Sequence, residues 1–273
     1  MYFTQFPGKM PPMPSPLVSI VTPSFNQARF LEATIQSVLA QDYPNLQYLI
    51  SDGGSTDGSL EIIQKYADRL SWWVSEKDRG QTDALNKGFA HATGDIFAWL
   101  NSDDTYEPGA VAQAVAYLTA HPEAGMVYGD ANFIDENGKV IGQFNARQTD
   151  YARLMRGAVY IPQQAAFFRA DLWRKVGPLD PSFYFAMDYD LWVRLAKLAP
   201  LHYLPGSVWA NFRLHGEAKT IAADDRCWPE MLKVHRREGG SPLSIITLRY
   251  LARRALAPLV MWRRRRKFQT ARG

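Results

Sequence analysis

The sequence predicts an α/β fold with a mainly parallel sheet flanked by helices. Three observations carry it. Short apolar runs alternate with segments of helical spacing up to Ala120, the pattern of strand–helix–strand units. Beyond Ala120 the alternation gives way to closely spaced strand candidates, which adds a mixed-strand half. Polar clusters close the early apolar runs, and open α/β sheets bind ligands outside the carboxyl ends of their strands.

Leu17–Thr22 is an apolar, β-branched run stopped by Pro23 and reads as the first strand. Arg29–Gln41 then places Leu31, Ile35, Val38 and Leu39 on one helical face. Leu46–Ser51 is the second strand and Gly58–Ala67 the second helix. Ser71–Ser75 is the third strand, with Thr82–His91 helical behind it. Asp95–Leu100 is the fourth strand, and the Ala-rich helix Gly109–Thr119 follows Pro108. Gly125–Asn132 and Lys139–Asn145 flank the turn Asp135–Gly138, which predicts a hairpin. Asp188–Leu198 is an amphipathic helix, and two short strands follow at Leu201–Leu204 and Val208–Phe212. Residues 218–239 are polar without a clear period and read as a mobile loop. Leu243–Ala257 is amphipathic, with Leu243, Ile246, Tyr250 and Leu251 set against Arg249, Arg253 and Arg254, and Pro258 ends it.

At 273 residues the chain can bury a sizeable core. The lone Cys227 excludes an intrachain disulfide framework and any multi-cysteine zinc site. The proline-rich residues 1–16 read as a flexible arm without a signal-peptide core, and no apolar run reaches the ~18 residues of a membrane span. The net charge of +4 conceals an asymmetry. From Lys233 onward there are 12 Lys or Arg and one acid, a net of +11, while the remainder carries 19 bases and 26 acids, a net of −7. The body is acidic and the tail basic, so the overall charge does not indicate nucleic-acid binding.

Asn101-Ser102-Asp103-Asp104 ends the fourth strand. Adjacent carboxylates there are costly to desolvate unless something cationic meets them, and a hard divalent metal bound to a phosphate-bearing ligand is one solution. A polar loop is the other. Three further clusters end strands: Thr22–Asn26, Asp52–Gly58 and Glu76–Gly80. Asp52 can accept hydrogen bonds from a base or ribose, or make a plain Asx-turn. Pro23 and Asn26 can border a nucleotide or serve as strand stop and helix cap. Arg79 can pair with a diphosphate through its guanidinium fork, or lie solvated on the surface.

The segments VSIVTPSFNQARFLEATIQSVLAQDYPNLQYLISDGGSTDGS, EKDRGQTDALNKGFAHATGDIFAWLNSDD and FAMDYDLWVRL, in this order and spacing, resemble the family-2-like glycosyltransferases with the GT-A nucleotide-sugar-binding fold. The resemblance implies a GT-A domain over 17–217, with a nucleotide-binding half (17–120) and an acceptor half (121–217), then a loop and basic amphipathic tail (218–273). It implies an inverting transfer from a nucleotide diphosphate sugar, a UDP-sugar as the first expectation. Thr22, Pro23, Asn26, Asp52, Arg79 and Asp103 would bind the donor. Asp104 would be the direct ligand of Mn²⁺ or Mg²⁺, with His215 completing the site. Asn86 and Gly88 match a segment that packs a helix behind it. Asp188 would be the base, with Met187 where the family often has glutamate; Asp190 competes but can equally cap its helix. Gln163 and Gln164 could line the acceptor pocket or satisfy loop backbone. The expected acceptor is a saccharide or lipid-linked hydroxyl in cell-surface polysaccharide or glycolipid synthesis. The tail, with Trp262 and Arg263–Arg266, would rest on an anionic bilayer, placing the protein in the cytoplasm at the inner membrane face. A sugar-phosphate nucleotidylyltransferase would carry a Gly-rich basic loop after strand one, which Thr22–Asn26 lacks. A catalytically inactive sugar-nucleotide-binding protein is the remaining alternative.

Overall fold

The computed structural model describes residues 15–216 and 226–255. The N-terminal arm up to residue 14, residues 217–225 and the tail from residue 256 lie outside the described residues. In chain order the first half runs β1 (Val18–Ser24), α1 (Ala28–Leu39), β2 (Leu46–Asp52), α2 (Ser59–Lys65), β3 (Trp72–Ser75), α3 (Gln81–Ala90), β4 (Ile96–Trp99), β5 (Thr105–Tyr106) and α4 (Ala110–Ala120). The second half runs β6 (Met126–Ile134), β7 (Val140–Phe144), α5 (Tyr151–Leu154), β8 (Ala166–Arg169), α6 (Ala170–Val176), α7 (Met187–Ala196), β9 (Leu201–Arg213) and α8 (Cys227–Arg237). Residues 245–255 are also helical.

One nine-stranded sheet joins both halves in the order β3-β2-β1-β4-β8-β6-β9-β5, with β7 beside β6. β1 pairs in parallel with β2 and β4, and β2 with β3. Their carboxyl ends therefore lie together, and the loops beginning at Phe25, Gly53, Glu76 and Leu100 share that edge. β8 enters antiparallel between β4 and β6, so the second half continues the sheet with mixed strands. Two expected strands are one: β9 runs from Leu201 to Arg213, with its register on β6 shifting near Asp130 and Gly206 at φ +73°.

Both faces of the central strands are covered, and alternation divides their side chains. Val18, Ile20, Ile50, Ile96 and Ala98 pack with Leu31, Ile35, Val111 and Leu118 of α1 and α4. Val21, Leu49, Phe97 and Trp99 face the other way, onto Leu85 and Phe89 of α3 and Trp192 of α7. Trp99 and Trp192 stack at 5.5 Å between centroids. α3 lies so close to β1 that a Cβ on Gly88 would meet Val21 Cγ1 at 2.3 Å.

The polar stretch read as a loop contains α8, which buries Met231, Leu232, Val234 and His235. Its apolar positions sit among Lys and Arg residues, which obscures the period. No helix among the described residues is long and apolar enough to cross a membrane.

Candidate active site

Four strand-end loops build a cavity of about 530 Å³ whose lining includes Pro23, Phe25, Gly53, Lys77, Asp78 and Asp103. The loops lock one another. Asn26 adopts φ +51°; its amide N–H donates to Ser55 Oγ at 2.8 Å and its Oδ1 accepts from the Thr56 amide at 3.0 Å. A Cβ on Gly53 would lie 2.8 Å from Asp78 Oδ2, so a larger residue there would displace the Asp78 side chain.

Asp52 ends β2 almost fully buried. Its carboxylate accepts from the Gly54 and Ser55 amides (3.1 and 2.9 Å) and from the hydroxyls of Ser55 and Ser75 (both 2.6 Å). The Asx-turn of the sequence reading is therefore present. Thr22 of β1 is buried, with its hydroxyl 3.0 Å from Tyr48 Oη of β2. Arg79 pairs with Asp83 at 2.8 Å, with its side chain 79% exposed. Of the six donor-binding expectations, Pro23 and Asp103 line the cavity. Asn26 and Asp52 brace the loop after β2, while Thr22 contacts Tyr48 and Arg79 pairs with Asp83.

The two carboxylates of the Asn101–Asp104 loop have opposite surroundings. Asp104 is fully buried. Its Oδ1 accepts from the Arg213 amide at 2.9 Å, and its Oδ2 from the side chains of Asn101 and Gln164, both at 3.3 Å. Burial and neighbouring Asp103 push its carboxyl well above the ordinary range, against the pull of these donors. Asp103 faces the cavity, and its Oδ2 lies 3.0 Å from His215 Nε2. The cation that meets this loop from inside the protein is Arg213. Its Nε donates to the Asp103 carbonyl at 2.8 Å, its Nη1 donates to the carbonyls of Asp135 and Glu136, and its guanidinium lies 4.8 Å from the Phe30 ring centroid.

A second cavity, of about 330 Å³, is lined by Gln163, Gln164, Phe144, Val159, Met187 and Asp188, among others. Gln81, Asn101 and Tyr184 line both cavities, so the two adjoin. Asp188 sits in the first turn of α7 at this second cavity. Asp190 is buried and ion-paired to Arg194 at 2.9 Å and to Arg237 of α8. The segment entering α7 is held by Glu230 of α8, whose carboxylate accepts from the amides of Tyr184, Phe185 and Ala186 (3.1, 2.8 and 2.8 Å).

Sequence reasoning did not single out Lys77, Asp78, Arg213 or Glu230. Lys77 and Asp78 stand beside Arg79 in a cluster it did identify, and Arg213 lies two residues before His215. Glu230 carries no sequence signal, because its partners are backbone amides about 45 residues away. Asn86 does more than pack: its side chain exchanges two hydrogen bonds of 2.9 Å with the backbone of Leu179.

The α/β fold, with a strand-end cavity on its parallel half adjoining a second cavity, is of the GT-A type. The chain belongs to glycosyl transferase family 2, whose family model matches residues 19–187. It is 33% identical over 187 residues to an uncharacterized glycosyltransferase of Mycobacterium tuberculosis, covering 67% of this chain and 70% of that one. It is 28% identical over 264 residues to the PGL/p-HBAD biosynthesis glycosyltransferase of Mycobacterium bovis, covering 93% and 100%. Among solved structures it is similar to S. aureus TarS in complex with UDP-GlcNAc, with TM-score 0.69 and 17% identity over 86% of this chain and 71% of that one. It is also similar to a mannosyltransferase from Pyrobaculum calidifontis in complex with GDP-Man and Mn²⁺, with TM-score 0.63 and 22% identity over 89% and 70%.

Proposed function

We propose that this protein is a metal-dependent, inverting glycosyltransferase that moves a hexosyl group from a UDP-sugar to an acceptor hydroxyl. One observation carries the reading: adjoining cavities with Asp103, backed by His215, on one and Asp188 on the other. The first cavity takes the nucleoside diphosphate. Lys77 lies in its wall to meet phosphate charge, Asp52 and Asn26 hold its loops in shape, and Thr22 backs β1 against Tyr48.

The residues fit a divalent cation. A cavity-facing carboxylate lies against an imidazole, a set that leaves remaining positions to diphosphate oxygens. A mixed oxygen and nitrogen set favours Mn²⁺ over Mg²⁺. We assign Asp103 and His215 as the direct ligands in place of Asp104, which is buried and faces the Arg213 amide. Asp104 then positions the loop. When bound, the metal supplies Lewis-acid stabilisation of charge on the departing diphosphate.

Asp188 accepts the proton of the acceptor hydroxyl as that oxygen attacks the anomeric carbon. With the base in one cavity and the leaving group in the other, the transfer is a single displacement, which inverts configuration. Gln163 and Gln164 border the acceptor. The complexes of the S. aureus and Pyrobaculum relatives, one with UDP-GlcNAc and one with GDP-Man and Mn²⁺, support the donor class and the metal. The acceptor is a saccharide or lipid-linked hydroxyl, a reading in keeping with the Mycobacterium bovis relative's part in PGL/p-HBAD biosynthesis, and the basic tail sets the protein at the inner membrane face.

Donor turnover with and without Mn²⁺ tests the metal assignment. A panel of UDP-sugars should give metal-dependent release of UDP and an inverted product. Asp103→Ala and His215→Ala should each raise the Mn²⁺ concentration needed for half-maximal turnover at least ten-fold. An unchanged Mn²⁺ requirement in both variants removes these residues as ligands.

A further inference from the structure

The acceptor cavity differs from the donor cavity in the chemistry of its walls. Phe144, Val159, Ile161, Met187, Phe212 and Met231 converge on it from β7, the segment before Pro162, α7, β9 and α8. Asp188 is its one carboxylate, and no Lys, Arg or His lines it among the described residues. Its amides are largely engaged within the protein. Gln163 donates to the Trp99 carbonyl at 2.8 Å and accepts from Asn101 at 3.2 Å. Gln164 donates to Asp104 at 3.3 Å.

A sugar chain entering here would bring several hydroxyls into a place with few partners. Each hydroxyl buried without a partner keeps its desolvation penalty and so weakens binding. An apolar body instead gains from leaving water, and one hydroxyl directed at Asp188 is enough for the reaction. Pockets of this kind use a largely apolar wall for affinity and a few polar groups for orientation.

We propose that the acceptor is a hydroxyl carried next to an apolar or aromatic body, which fills the cavity walled by Val159, Phe212 and Met231. The hydroxyl lies at the polar end, by Asp188 and Asn101. The absence of basic side chains from the described lining argues against a phosphate inside this cavity. The proposal rests on the transferase reading for the identity of the site, but binding tests it separately.

The probes are glucose, octyl glucoside and 2-naphthol, with the full chain. Binding is read by saturation-transfer NMR for glucose and octyl glucoside and by intrinsic fluorescence for the naphthol. Octyl glucoside should bind at least ten-fold more tightly than glucose, and 2-naphthol should displace it. Val159→Asp and Phe212→Ser, two independent changes in the wall, should each bring the octyl glucoside-to-glucose ratio to within two-fold. Circular dichroism identifies either variant that fails to fold, and the other then decides. Equal binding of glucose and octyl glucoside, or a preference that survives in a folded wall variant, overturns the proposal. A preference that depends on the wall, with no UDP released from any donor and acceptor, would instead overturn the transferase reading and leave the apolar cavity standing.

Discussion

Asp188 and Asp190 share the first turn of α7, yet their surroundings separate them. Asp190 is enclosed and neutralised by Arg194 and Arg237, so it joins α7 to α8. Asp188 lines the second cavity. Asp188→Asn keeps the size of the side chain and removes its capacity to take a proton. Its turnover should fall about 10²–10⁴-fold, while UDP affinity, measured calorimetrically, changes less than about three-fold. Turnover within ten-fold of the parent would exclude Asp188 as base. The sequence pointed to Asp188 over Asp190 because the latter could cap its helix; the observed role of Asp190 is an ion pair instead. The double acid Asp103-Asp104 was visible as a charge problem, but the division of labour within it was not. That division depends on Arg213, 109 residues beyond Asp104, whose amide faces Asp104 and whose guanidinium binds the Asp103 carbonyl. No local pattern encodes such a distance.

Among the elements, β1 to β4 with α1, α3 and α4 were legible because each carries enough apolar residues to display its period. β8 was not: Ala166–Arg169 is four residues long, sits between a 3₁₀ turn and α6, and gains its meaning from pairing antiparallel with β4 and β6. α8 was hidden by its own charge, although it fixes the approach to Asp188. Glu230→Ala strips the carboxylate from three amides, which should cost about 1–3 kcal/mol in urea unfolding. Displacement of the α7 entry should also lower kcat by roughly 10- to 100-fold. A variant that loses neither stability nor kcat would show that α8 does not position this segment. The same helix is held at its far end by Glu238, which pairs with Lys197 after α7 at 2.8 Å. Burial pushes the Glu238 carboxyl up, but Lys197 and Arg237 outweigh it and hold it below the usual carboxylate range. Because the folded-state value is depressed, the stability from this pair is present above the unfolded value of roughly 4.3. It is lost as pH falls through the lower folded value. Lys197→Ala should therefore be less stable than the parent at pH 7, and the difference between their urea midpoints should close in acid. A difference that stayed constant from pH 7 to pH 3 would remove this linkage.

Over the whole molecule, charge and apolar exposure have the same polarity. The body carries the acids and the segment from Lys233 onward a net of +11. The described part of that segment includes helical residues 245–255. Ile246 anchors this helix: it is fully buried and would lie 3.0 Å from a Cβ built on Gly157. Leu243, Ile245, Leu248 and Leu251 are turned outward with exposures of 85%, 48%, 56% and 53%. Arg249, Arg253 and Arg254 accompany them in the same stretch. An exposed leucine face bordered by arginines matches the interfacial region of an anionic bilayer, where apolar burial and charge attraction add. The expected contacts of Trp262 and Arg263–Arg266 lie outside the described residues. The described helix nevertheless supplies its own test. Leu248→Glu with Leu251→Glu leaves Ile246 in place, so folding should be retained, and it puts two acids on the membrane-facing side. Flotation with phosphatidylglycerol-containing liposomes should recover the parent chain and at least ten-fold less of the double variant. Raising salt should weaken the parent's association, since screening acts on the arginine share. Equal flotation of parent and variant would show that this helix is not the contact, and a parent chain that does not float at all would remove the membrane from the proposed setting of the reaction.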